Sequence, residues 1–190
     1  AAEKVPVFII NGAVEGTNIY SSVCEDCKAV YDVTRELIGK GRKQILFLTD
    51  SHSYSSNEKM AGYEKALRDS GLPVTGDLKI HVKNDIHYVR DTLLQNGAPC
   101  FDSVICTNDS IAVGAVKFAK ERGLSIPREM NIVGYNNSVL AISCEPEISS
   151  IDNHTEEICD GTIENVIRVL QGDSEVKRHF TVPCTLVKRS

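Results

Sequence analysis

The sequence predicts an α/β protein, a parallel sheet covered by helices on both faces. Two observations carry this. Short apolar runs alternate along the chain with segments whose apolar residues recur at helical spacing. In the stretch from Phe101 to Asn137, FDSVICTNDSIAVGAVKFAKERGLSIPREMNIVGYNN, strand, polar turn, helix, turn and strand follow one another with suitable boundary residues. Ser103–Thr107 is a short apolar strand that delivers Asn108 and Asp109 to its carboxyl end, where either side chain can cap the next helix. Ile111, Ala112, Ala115, Val116 and Ala119 then make one apolar helical face, Gly123 suits a left-handed cap, and Pro127 blocks continuation. Ile132–Tyr135 is the next strand and ends in Asn136 and Asn137. Two neighbouring strands thus present carboxamides and a carboxylate at one sheet end, the end where open α/β sheets bind ligands.

The other elements follow the same patterns. Val5–Ile10, Ile45–Thr49, Leu78–Val82 and Asn131–Tyr135 read as further strands; Cys27–Ile38, Asn57–Ser70, Asp85–Gln95, Ser110–Arg122 and Thr155–Leu170 read as helices. In the last helix Ile158, Thr162, Ile163, Val166, Ile167 and Leu170 define the apolar stripe. Phe180, Val182, Cys184 and Leu186 alternate, which predicts one terminal strand with a single buried face.

Composition narrows the function. The 190 residues, 42% hydrophobic and 25% charged, suit an ordinary globular chain of one or two lobes. No apolar run approaches the roughly 20 residues of a membrane span, and no signal peptide is recognised. A net charge of −5 gives no basic footprint for nucleic acid. The seven cysteines are odd in number and scattered; Cys106 and Cys184 read as small buried hydrophobes, and the balance favours a reducing cytoplasm. Cys24-x-x-Cys27 has the spacing of a redox or zinc half-site but no second pair, and reads as two ordinary thiols. No metal cluster, cofactor fingerprint or catalytic constellation is recognised, so an enzyme is not expected.

The phrase ICTNDSIAVGAVKFAKERGLSIPREMNIVGYNN resembles the effector-binding core of LacI/GalR-type bacterial transcription regulators, and VPVFIING, LIGKGRKQILFL, AGYEKAL, SSID and VPCTLVKRS extend the resemblance in order over nearly the whole chain. The resemblance implies a periplasmic-binding-protein-like type I fold of two doubly wound parallel-sheet lobes. Family members carry three strands and two helices of the first lobe before the point where this chain begins, and a hinge and helix-turn-helix before those. The chain is therefore expected to be a fragment with the first lobe incomplete. Matching the family's lobe crossings to Ile38–Gly41, Ile151–Asn153 and Gln171–Ser174 assigns 1–40 and 152–172 to the partial first lobe, and 41–151 and 173–190 to the second. The apolar faces of Val5–Ile10, Cys27–Ile38 and Thr155–Leu170 are those the family packs against elements not found in this chain.

The resemblance also implies a set of ligand-binding residues. Asp26 matches an acidic helix-start position that accepts hydrogen bonds from ligand hydroxyls; alone it would read as a helix cap. Ser55, in the polar loop SHSYSS, is the serine best placed to line the cleft. Lys59 stands where sugar-binding members carry Arg, exchanging a planar fork of donors for a point charge, and reads as easily as a solvated helix residue. His81 matches an aromatic position that stacks on the ligand ring, and reads equally as a partly exposed strand-end histidine. Asn108 matches the family's ligand-binding Asn, whereas Asp109 is expected to be structural. Asn136 replaces an Asp that takes sugar hydroxyls, so its ligand group gains a donor as partner.

The function implied is the effector-sensing and dimerisation module of such a regulator. A small sugar-like ligand binds between the lobes of a cytoplasmic homodimer and controls operator binding by a helix-turn-helix outside this chain. The alternative is a solute-binding protein of a transport system, which shares the fold. Neither a cofactor nor a membrane is implied.

Overall fold

The computed structural model describes residues 5–95 and 100–189. Among them nine strands and six α-helices alternate. The larger sheet has six strands in the order β4-β3-β5-β6-β7-β9: β3 (Ile45–Thr49), β4 (Lys79–His81), β5 (Ser103–Cys106), β6 (Asn131–Tyr135), β7 (Ser149–Asp152) and β9 (Thr185–Val187). All its pairings are parallel except β7 with β9. Every residue of β3, β5 and β6 is buried, as expected of strands covered on both faces.

Successive strand side chains point to opposite faces, and this period of two divides the core in two. Leu46, Leu48, Val104, Cys106 and Ile132 face α3 (Ile86–Gln95) and α4 (Asp109–Glu121), meeting Val89, Leu93, Ile111 and Ala115. Ile45, Phe47, Ile105 and Val133 face the other way, onto Val30, Val33 and Leu37 of α1 (Asp26–Gly39) and Tyr63 and Leu67 of α2 (Tyr54–Asp69). Burial of each Leu, Ile or Phe at these positions is favourable by about 1.5–3 kcal/mol. Tyr63 is buried too, and its hydroxyl donates to the Ile45 carbonyl at 2.7 Å.

The smaller sheet is three-stranded and parallel, β1-β2-β8: β1 (Val7–Ile10), β2 (Ile19–Cys24) and β8 (His179–Val182). It is covered by α6 (Thr155–Leu170), which buries Ile158 and Thr162; the Thr162 hydroxyl donates to Ser22 Oγ at 2.7 Å. On the far side of α6, Ile163, Ile167 and Leu170 are exposed.

Three expectations need correction. The terminal strand is two strands in different sheets, β8 parallel to β2 and β9 antiparallel to β7, broken between Val182 and Thr185. Proline at 183 has no N–H to extend a ladder. Secondly, α1 belongs to the larger unit: its apolar stripe interlocks with α2 and β3, so the face of Cys27–Ile38 is not left bare. The first crossing therefore lies between Cys24 and Asp26 and the third between Val182 and Thr185, not at Ile38–Gly41 and Gln171–Ser174. Only the middle crossing falls where expected, after Asp152. Ranges 1–40 and 173–190 are thus each split between the two sheets, and their extremities 1–4 and 190 lie outside the described residues. Thirdly, β2 and β7 were not anticipated; their serines, buried at Ser21, Ser22, Ser149 and Ser150, interrupt the apolar signal.

Candidate functional site

The carboxyl ends of β3, β5, β6 and β7 lie side by side because these strands are parallel and in register. Asp50 follows β3, Thr107 and Asn108 follow β5, Asn136 follows β6, and Asp152 closes β7. The two oxygens of Asp50 accept from the Thr107 hydroxyl at 3.1 Å and from Asn108 Nδ2 at 2.9 Å. Asn108 Oδ1 in turn accepts from the Ile111 amide at 3.1 Å and from Ser110 Oγ at 2.6 Å, so the carboxamide caps α4 while Asp50 fixes its orientation.

Beside this pair lies a buried set of ionisable groups. Lys59 is only 7% exposed; its Nζ donates to the Thr107 carbonyl at 3.3 Å and sits 3.6 Å from the centre of the Tyr135 ring. Burial pushes the Lys59 ammonium below its ordinary pKa, opposed by the carboxylates of Asp26 and Asp50. Asp26, also buried, accepts a hydrogen bond from the Tyr135 hydroxyl. Burial, then the nearby Asp26 carboxylate, pushes that phenol upward in pKa. The chain Asp26–Tyr135–Lys59–Thr107–Asp50–Asn108 is therefore continuous, and it excludes the reading of Lys59 as a solvated helix residue.

The other expected residues sit apart from this chain of contacts. Ser55 is half-buried in the first turn of α2; its neighbour Ser56 is the buried one, joined to Ser51 at 2.7 Å and Ser53 at 3.1 Å around the helix cap. His81 is exposed and stacks on His52, ring centres 4.8 Å apart and 23° from coplanar. Asn136 is exposed with φ at +93°; its amide donates to the Ile151 carbonyl at 2.8 Å and its Oδ1 accepts from Asn153 Nδ2 at 3.3 Å. It lines a cavity of about 800 Å³ between the two sheets, with Asp152 and His154 on one wall and Glu157, Asp160 and Phe180 on the other. Asp109, expected to be structural, is 1% exposed and accepts from the Ser138 amide and hydroxyl and from the Ser150 hydroxyl. It thereby ties the loop that carries Asn136 to β7.

Sequence reasoning missed Asp50, Thr107, Tyr135 and Asp152. The rule that singled out Asn108, the first polar residue beyond an apolar strand, applies equally to Asp50 after ILFLT and would have found it. Among the described residues no group of three His, Cys, Asp or Glu is arranged to hold a metal, and no helix is long and apolar enough to cross a membrane.

Acid should weaken this fold through its surface carboxylates. Hydrogen bonds from Lys79 and Arg68 hold Glu64 below its ordinary value of 4.5, and those from Lys40 and Lys188 do the same for Glu36. A depressed folded-state pKa means stability that is present above about 4.5 and lost as pH falls through the lower value. Urea midpoints should drop as pH is lowered below about 4.5, and Glu64→Gln should flatten the profile by no more than about 1 kcal/mol, since the pair is partly solvated. A midpoint in Glu64→Gln with the same acid dependence as the parent would remove Glu64 from the account.

A ligand-type strand edge facing a smaller sheet across three crossing segments defines a two-lobed α/β binding domain. The chain belongs to the periplasmic binding protein-like domain family, whose model matches residues 34–190. It is 40% identical over 192 residues to an HTH-type transcriptional regulator of Lachnoclostridium phytofermentans, a match covering 100% of this chain and 57% of that protein. The crystal structure of the Escherichia coli transcriptional repressor ascG superposes with a TM-score of 0.86 at 26% identity, covering 97% of this chain and 68% of that one. A sugar-binding LacI-family regulator from Escherichia coli, complexed with phosphate, gives 0.85 at 28% identity, covering 97% and 67%. The chain spans about half the length of the curated regulators it matches.

Proposed function

We propose that this chain is the effector-sensing part of a LacI/GalR-type transcription regulator. It takes a small polyol, a sugar or sugar derivative, between its two lobes and works in the cytoplasm as a homodimer whose DNA contacts come from a helix-turn-helix outside this chain. The observation that carries the reading is the edge network of Asp50, Asn108 and Lys59: a carboxylate, a carboxamide and an ammonium converge where parallel strands end. Such a set offers acceptors and donors within one ligand's reach, as vicinal hydroxyls require. Asn136 supplies a further carboxamide on the wall of the cavity between the sheets, and His81 with His52 a flat stacked surface after β4 and β3. Asp26 acts through Tyr135, and Ser55 lies on the helix turn that carries Lys59's approach. The regulator reading is preferred to transport because the similar proteins are named transcriptional regulators. Catalysis forms no part of it.

A thermal-shift panel of pentoses, hexoses, disaccharides, sugar phosphates and nucleosides tests this. A bound ligand at a hundred times its Kd stabilises by about 2.7 kcal/mol, roughly a 5–10 °C rise for a chain of this size. Asn108→Ala and Lys59→Met should abolish the shift from the ligand that produces it. A shift caused by a sugar and kept in both variants would place the site elsewhere. A shift produced by nucleosides and by no sugar would overturn the polyol assignment.

A further inference from the structure

The three segments that cross between the sheets meet around two thiols. Cys24 ends β2 at the first crossing, and its Sγ donates to the carbonyl of Asn153, on the second, at 3.4 Å. Cys184 lies on the third, between β8 and β9, with its Sγ 3.3 Å from the Tyr135 hydroxyl. Cys24 stands opposite Val182 in the β2–β8 ladder, two residues from Cys184, and the Glu25 amide donates to the Val182 carbonyl at 2.9 Å. Both thiols pack into one small core with Ile158 and Val182. They differ in access. Cys24 is buried, whereas Cys184 lines a cavity of about 230 Å³ with Ala29, Ile151 and Leu186.

We propose that Cys24 and Cys184 are a redox pair, which hydrogen peroxide converts to a disulfide that clamps the junction between the two sheets. Cys184 reacts first because it is the thiol that a small oxidant reaches. Its thiolate attacks one peroxide oxygen; an S–O bond forms, the O–O bond breaks, and the departing hydroxide takes a proton to become water. The Cys24 sulfur then attacks the sulfenic sulfur; the S–S bond forms, the S–OH bond breaks, and hydroxide leaves as water with the Cys24 proton. Two thiols give up two electrons in all, and one peroxide becomes two waters. The neighbouring Cys24 thiol holds the Cys184 thiol below its ordinary pKa against the effect of its burial, which favours the attacking form. A covalent link between the first and third crossings restrains the movement of one sheet relative to the other. Its effect on effector response rests on the two-lobed reading above; the bond itself does not.

Peptide mapping without reductant, on protein treated with equimolar hydrogen peroxide and then alkylated, tests the bond with no ligand present. The expected result is the loss of two of the seven thiols and one Cys24–Cys184 linked peptide, both reversed by dithiothreitol. In Cys24→Ser a sulfenic acid on Cys184 should be trapped by dimedone, and in Cys184→Ser Cys24 should stay alkylatable. Hydrogen exchange at the Glu25 amide should slow at least tenfold in the linked protein. Cys184 remaining fully alkylatable, a Cys24–Cys159 peptide instead, or unchanged exchange at Glu25 would each overturn the proposal. The wild-type map decides the matter alone if either variant fails to fold.

Discussion

Asp109→Ala is expected to destabilise the protein by about 4 kcal/mol, read as a fall in urea midpoint at unchanged slope. The carboxylate is 1% exposed and receives three hydrogen bonds: from the Ser138 amide at 2.7 Å, the Ser138 hydroxyl at 2.8 Å and the Ser150 hydroxyl at 2.6 Å. Alanine leaves all three donors facing a void, and a buried donor without a partner costs about 1–3 kcal/mol. The Ser150 donor is fully buried, while Ser138 regains some water, which keeps the sum below the upper limit. Gly134 shows how closely the carboxylate is fitted: a Cβ there would stand 2.2 Å from Asp109 Oδ1. Asp109→Asn should cost less, because one acceptor oxygen remains. The loop tethered by Asp109 carries Asn136, so a ligand held at Asn136, as proposed above, should bind more weakly as stability falls. A loss under 1 kcal/mol in the alanine variant would mean that water or a local shift replaces the carboxylate.

Gly62→Ala should cost about 3 kcal/mol or more, the upper range for overpacking. Its Cβ would lie 2.1 Å from the Cys27 carbonyl oxygen, 2.9 Å from its carbon and 3.1 Å from its Cα. These are backbone atoms of α1, so no rotamer relieves the contact and the two helices must separate. That separation also disturbs the candidate site, since α1 holds Asp26 and α2 holds Lys59, the groups that meet at Tyr135. Gly39→Ala is the control: nothing lies within 4 Å of its would-be Cβ, and the helix should gain up to about 1 kcal/mol. Thermal midpoints for both variants settle the comparison; equal midpoints would show that α1 and α2 tolerate a wider spacing.

Much of the larger sheet was legible because its strands are continuous apolar runs, a signal that survives without tertiary information. Ile45–Thr49 and Asn131–Tyr135 occur with the expected ends, and Thr155–Leu170 is a helix from its first residue to its last. The serine-rich strands IYSSVC and SSID escaped because a buried serine satisfied by a hydrogen bond looks like a surface residue in a sequence. At the site, Asn108 was visible as a cap beyond a strand, and the resemblance pointed to Lys59 and Asp26. That Lys59 is buried under Tyr135 was not visible, because a lysine on a helix is solvated or buried according to what the neighbouring strand places above it.

The sequence by itself determined the α/β class, the positions of most helices and strands, and the polar residues that follow the strands, because period, propensity and capping are local properties. Only the tertiary structure decided which sheet each element joins. β8 and β9 are separated by two residues yet belong to different sheets, and α1 packs with the unit that follows it rather than the one before. Those assignments depend on which apolar face finds a complementary one far along the chain, and on a proline that ends one ladder. The same long-range packing brings Asp26, Lys59 and Asn108 into one contiguous chain of contacts, which no spacing along the sequence encodes.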